Sequence, residues 1–201
     1  RFLFRNQMFN EIRNVHGSIV ECGVLYGNGL MTFAHLSSIY EPVNFMRKVI
    51  GFDTFEGFVH NHANDRSSKT TGITEVGKMS ADYKDELERC IKMYDHNRNL
   101  GHLQKVELVK GDLVQEAPKY VKDNPHLVIS LLYLNVNVYE PTKAAIKSFL
   151  PRMGKGTVIA FGELDHPECP GETLAVLEEV GLNSLKLIRV PYDTTRCYAI
   201  L

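Results

Sequence analysis

Short apolar runs that stop at a glycine or an acid recur along this chain, each followed by a stretch with helical spacing. This alternation restricts the fold more than any other feature of the sequence. Residues 18–24 read as a buried strand ending at glycines, with a helix to follow over 30–36. A second strand, 48–52, ends at Asp53, and a third, 106–109, ends at Gly111-Asp112. Residues 127–134 form the strongest run, broken only by Ser130, as expected for a strand covered on both faces. Residues 157–161 make a fifth. Helical candidates lie near 79–97, 112–123, 141–149 and 171–180, the last stopping at Gly181. Phe2, Leu3, Met8, Phe9 and Ile12 fit a further helix over 1–15 that ends near Asn14. Alternating β and α predicts an α/β fold, a mostly parallel sheet with helices on both faces.

The tail departs from the pattern. Residues 185–190 and 196–201 are separated by a polar turn and no helix, so they are expected to pair as an antiparallel hairpin at a sheet edge. Residues 57–78 are rich in Gly, His, Asn, Asp, Ser and Thr. They predict a long mobile loop on the ligand side of the sheet, since unstructured stretches of that length are uncommon without a function.

Composition narrows the function classes. A length of 201 residues is enough for one domain, 1–201, with its own core. The 23 basic against 24 acidic side chains give a net charge of -1, which removes the global case for a nucleic-acid binder. Ten Phe and nine Tyr supply the apolar surface that a disordered chain lacks. Cys22, Cys90, Cys169 and Cys197 show no paired metal-ligand spacing and suggest reduced thiols of a cytoplasmic protein. No apolar run approaches the roughly 18 residues that would cross a bilayer. The first helix and the final hairpin leave apolar and edge surface that a second copy would cover, which points toward a homo-oligomer.

Chemistry concentrates at the ends of the strands. The turn 21–29 carries Glu21, Gly23, Tyr26, Gly27 and Gly29. Gly23 allows close backbone approach to a ligand. The glycine order is not that of a dinucleotide fingerprint, which weakens a nicotinamide reading, and no Lys-Ser/Thr pair supports a phosphate-binding loop. Asp53, at the second strand end, suits the two hydroxyls of a ribose. Asp112 sits at the third strand end, where it either lines the same crevice or caps a helix. Glu21 matches a positively charged ligand better than a pyrophosphate. Together these acids favour a charged nucleoside such as S-adenosylmethionine over NAD.

The fourth and fifth strands bear a second set. Asn135, Asn137, Tyr139 and Glu140 gather after the fourth strand, where an acceptor substrate is expected to bind. Glu163, Asp165 and His166 follow the fifth, and His166 has the intrinsic pKa for proton transfer. A magnesium ion would have only Glu163 and Asp165 as carboxylate ligands, with neutral side chains at Asn135 and Asn137. His35, His60 and His62 have no spacing that compels zinc and read as solvated side chains.

The segments 1–6, 21–29, 51–57, 139–143 and 161–165, with Pro170-Gly171-Glu172, resemble the macrocin-type S-adenosylmethionine-dependent sugar O-methyltransferases. The likeness is strongest to the calicheamicin-pathway branch acting on nucleotide-linked deoxysugars. The resemblance implies a Rossmann-like class I methyltransferase sheet and S-adenosylmethionine as cofactor. It implies that Glu21 and Gly23, with Tyr26 in the same turn, surround the methionyl part. Asp53, followed by Thr54, corresponds to the ribose ligand, Asp112 to the adenine wall, and Arg5 to a segment closing over the cofactor. The family carries aspartates where this chain has Asn135, Asn137 and Gly162, and ties them to divalent metal and substrate deprotonation. With those acids replaced, Glu163, Asp165 and His166 are expected to assist proton removal.

Overall fold

The computed structural model describes residues 1–69 and 72–201. Its strands are β1 (Ser18–Cys22), β2 (Val49–Asp53), β3 (Val106–Lys110), β4 (Ile129–Leu134), β5 (Met153–Phe161), β6 (Ile188–Arg189) and β7 (Cys197–Ile200). They form one sheet in the order β3-β2-β1-β4-β5-β7-β6. The first five run parallel, and β7 is antiparallel to both of its neighbours. The helices are α1 (Phe2–Ile12), α2 (Asn28–Tyr40), α3 (Lys84–Asn97), α4 (Leu113–Asp123), α5 (Tyr139–Phe149) and α6 (Pro170–Glu179).

Period-two alternation along the strands builds two cores. Ile19, Leu131, Tyr133 and Val158 face Phe4, Met8 and Phe9 of α1 and Phe33 of α2. Their sequence neighbours Val20, Leu132, Leu134 and Ile159 face Ala117 of α4, Phe149 of α5 and Val176 of α6. Each fully buried Leu or Phe contributes roughly 1.5–3 kcal/mol relative to exposure. Every position of β1 and β4 is buried, and β4 accordingly carries the strongest apolar run of the chain. β1 pairs with β2 on one side and β4 on the other, so the order reverses there and the connections after β1 and β4 diverge. A crevice opens at such a switch point.

Several boundaries differ from expectation. The helix expected from residue 79 starts at Lys84, because Met79 adopts a positive φ of 56°. β4 starts at Ile129 rather than 127, since the Leu127 N–H closes a turn onto the Asn124 carbonyl. β5 starts at Met153 instead of 157; Gly154 and Gly156 hide the extension, which the Gly156 N–H ties to the Leu201 carbonyl at 2.6 Å. The C-terminal hairpin forms, but β6 keeps only two residues and β7 inserts between it and β5.

The stretch 57–78 is irregular, although residues 70 and 71 lie outside the described residues. It is anchored more firmly than its composition suggests. A short 3₁₀ turn, Ala63–Asp65, buries the Asp65 carboxylate completely. That carboxylate accepts the N–H groups of Tyr139 at 2.7 Å and His62 at 2.9 Å, which fastens the loop to the start of α5. All four cysteines are free. Among the described residues, no helix is long and apolar enough to cross a membrane.

Candidate functional site

Five parallel strands end on the same side of the sheet, and the cleft there is lined by residues from each connection. Gly23 and Leu25 come from the β1 turn, Asp53 and Thr54 from the end of β2, and Asp112 from the end of β3. Asn135 and Asn137 follow β4, and Glu163 follows β5. Phe58, Val59 and Met79 form an apolar wall, and Arg196 enters from just before β7.

The end of the cleft at β1 and β2 is knitted together by Asp53. Its Oδ2 accepts the N–H groups of Val24 at 2.7 Å and Leu25 at 2.8 Å, while Oδ1 accepts that of Phe55 at 2.7 Å. Leu25 and Phe55 both have positive φ, so one carboxylate holds two strained turns in place. A carboxylate has about four acceptor positions, which leaves one for a ligand. Gly23 is required by both conformation and space: its φ is 90°, and a Cβ would collide with the Asn135 carbonyl. The Thr54 hydroxyl donates to the Gly57 carbonyl at 2.7 Å and closes the next turn.

Asp112 does both jobs the sequence allowed. It lines the cleft and caps α4, accepting the Val114 N–H at 3.0 Å. Its second oxygen lies 2.8 Å from His60 Nε2, which binds the loop to the cleft rim. His60 is therefore engaged with a cleft residue rather than free in solvent as expected, though it does not line the cleft itself. His62 is likewise engaged: it caps the 3₁₀ turn and stacks on the Tyr139 ring at 4.7 Å.

Arg5 and Glu21 form a buried pair 3.5 Å apart beneath the β1 turn, 6% and 1% exposed. Burial pushes the Glu21 carboxyl up to about 7, against the pull of Arg5. Glu21 Oε2 and Arg5 Nε have no hydrogen-bond partner among the described residues. A Cβ at Gly29 would strike the Glu21 carboxylate, so the pair fits only because that helix start is glycine. Neither residue is part of the cleft wall. Tyr26 is also outside the wall; it is 53% exposed and packs edge-on against Tyr83.

The end of the cleft at β4 and β5 keeps only part of the expected set. Tyr139 points away: its hydroxyl bonds Glu178 and Lys143 Nζ on the α5–α6 surface. Glu140 lies 3.8 Å from His62, apart from the cleft wall. Asp165 is exposed, with φ 66° and its N–H on the Thr173 hydroxyl, so it serves the turn. His166 Nε2 is 4.0 Å from Glu163 and reaches the cleft only through it. Of Glu140, Glu163 and Asp165, Glu163 is thus the carboxylate that lines the cleft. Burial raises its pKa, opposed by His166, Arg196 and Arg1. Its N–H is fixed at 2.9 Å by Glu172, which is fully buried and raised to about 8 by burial.

The donor set does not fit a divalent ion. Asn135 and Asn137 are neutral, Gly162 has no side chain, and a Cβ there would run into the Asn135 amide. No group of three His, Cys, Asp or Glu among the described residues is placed to hold a metal. A guanidinium, Arg196, lines the same cleft as Glu163.

The macrocin O-methyltransferase (TylF) family model matches residues 6–176. The chain belongs to this family. With it, the chain is an S-adenosylmethionine-dependent O-methyltransferase. Two crystal structures are similar over 99% of the chain: calicheamicin methyltransferase CalS11, at 35% identity, TM-score 0.93 and 77% of that chain, and apo CalS11, described as a TDP-rhamnose 3'-O-methyltransferase, at 34% identity, TM-score 0.83 and 78% of that chain. The O-methyltransferase NovP shares the fold at 21% identity and TM-score 0.76, over 100% of this chain and 78% of that one. No curated protein matches the chain in sequence.

Proposed function

We propose that the cleft holds S-adenosylmethionine across the tips of β1, β2 and β3, and a small, nucleotide-linked sugar at the tips of β4 and β5. The carrying observation is the division of one cleft into an end bearing Asp53 and Asp112 and an end bearing Asn135, Asn137 and Glu163. The remaining acceptor position of Asp53 suits a ribose hydroxyl. Asp112 and Leu113 flank the adenine, and Gly23 lets the backbone approach the sulfonium. Glu21, paired with Arg5, supports the β1 turn beside the methionyl end. The assignment of a nucleotide-linked sugar draws on the TDP-rhamnose methyltransferase at 34% identity.

The sulfonium methyl is already electrophilic, so catalysis consists of alignment and proton removal. A lone pair on the acceptor oxygen forms the new O–C bond as the S–C bond breaks and its electrons return to sulfur. The hydroxyl proton passes to the Glu163 carboxylate, which burial makes a stronger base than a solvated glutamate. His166 Nε2 stands 4.0 Å from that carboxylate, with its Nδ1 taken up by the Glu168 N–H, so it supports the base electrostatically. The Asn135 and Asn137 amides hold neighbouring sugar hydroxyls.

Incubation with methyl-labelled S-adenosylmethionine and a panel of TDP-deoxysugars is expected to yield labelled sugar. The neutral residues at Asn135, Asn137 and Gly162 favour one competing reading, a cofactor-binding protein without turnover. Cofactor affinity with no product on any sugar would support that reading instead.

A further inference from the structure

We propose that Arg196 supplies the positive charge at the acceptor end of the cleft, so that methyl transfer here proceeds without a divalent metal. This rests on the methyltransferase reading above and concerns only its acceptor half.

Arg196 precedes β7 and is 7% exposed, yet it lines the cleft together with Glu163, Asn135 and Asn137. Its position is built rather than incidental. Nε donates to the Tyr133 hydroxyl at 3.0 Å, and Nη1 reaches the two Asp193 oxygens at 3.3 and 3.2 Å. Asp193 and Arg196 belong to one turn, whose N–H groups at Thr195 and Arg196 also bond Asp193. Two of the three guanidinium nitrogens are therefore committed to holding the group, and Nη2 is left for the cleft. A guanidinium remains charged at any working pH and recognises oxyanions through directed N–H donors.

Arg1 also lines the cleft but is exposed, whereas Arg196 is buried and held in place by Tyr133 and Asp193. Asn135 and Asn137 bring no negative charge to repay the desolvation of a metal ion, and the space at Gly162 is taken by the Asn135 amide. Of the nearby carboxylates, Asp193 is paired with Arg196, Glu172 is buried and accepts the Glu163 N–H, and Glu163 itself lines the cleft and is placed to receive the proton. Arg196 then stabilises the acceptor oxygen as it loses that proton to Glu163. Fixed donors aimed at developing charge are the largest single electrostatic contribution in many enzymes.

The test combines a metal titration with Arg196 variants. Manganese(II) is titrated into protein saturated with S-adenosylhomocysteine and followed by electron paramagnetic resonance. Methyl transfer to TDP-deoxysugars is measured in chelator and in magnesium. The expected results are no stoichiometric manganese binding and rates within about twofold between chelator and magnesium. R196Q is expected to lose about 10²-fold in kcat with unchanged S-adenosylhomocysteine affinity, R196K to retain part of the rate, and methylguanidinium to restore R196A. Stoichiometric manganese binding, activation by magnesium, R196Q at wild-type rate, or absence of transfer in every condition would each overturn the proposal. Failure of S-adenosylhomocysteine to bind at all would instead remove the methyltransferase reading on which it stands.

Discussion

His60 Nε2 lies 2.8 Å from Asp112 Oδ2, joining the loop after β2 to the helix cap after β3 across the rim of the cleft. Both groups are partly exposed, so the contact adds little to global stability. Its effect is on local opening. His60→Ala is expected to speed amide exchange at residues 57–62 while lowering the melting temperature by less than about 3 °C. Unchanged exchange in hydrogen–deuterium measurements would show that the loop is held by other contacts alone.

Asp65 is the deeper anchor of the same loop. Its fully buried carboxylate satisfies the N–H groups of Tyr139 and His62, and removing it strands both donors. Asp65→Ala is expected to cost about 1–3 kcal/mol in urea unfolding, the usual penalty for a buried unsatisfied polar group. A cost below about 0.5 kcal/mol, the scale of ordinary surface changes, would contradict the anchoring role.

Much of this architecture is visible in the sequence, for identifiable reasons. β1 and β4 are buried along their whole length, so their apolar runs are unbroken apart from Glu21 and Ser130. The acids at Asp53 and Asp112 stand where parallel strands must end, and both reach the cleft. What stays hidden depends on contacts between residues far apart in the chain. His60 meets Asp112 across 52 positions, and Asp65 meets Tyr139 across 74. Arg196 enters the cleft only because β7 inserts beside β5, a placement that no local pattern records. Conversely, Asp165 and Tyr139 have suitable chemistry and proximity in sequence, but a positive φ at one and helix geometry at the other direct them away from the cleft.

Glu21 gives the protein a specific pH signature. Burial raises its folded-state pKa from 4.5 to about 7. The folded protein therefore binds an extra proton between these values, and stability contributed by that protonation is complete below about 4.5 and falls as pH rises toward 7. Glu21→Gln, which keeps the shape and removes the titration, is expected to flatten this part of the stability curve by on the order of 1–3 kcal/mol. Denaturant titrations at pH 5 and pH 8 make the comparison; a slope equal to that of the unaltered protein would place the pKa elsewhere.

The division of the cleft into a nucleoside end and an acceptor end stands or falls on the ligand it takes. Calorimetric titration of the full chain with S-adenosylmethionine and, separately, with NADH tests this directly. The expected result is saturable one-to-one binding of S-adenosylmethionine, weakened at least tenfold by Asp53→Asn, and no measurable binding of NADH. Preferential binding of NADH, or no binding of S-adenosylmethionine by the folded protein, would contradict it.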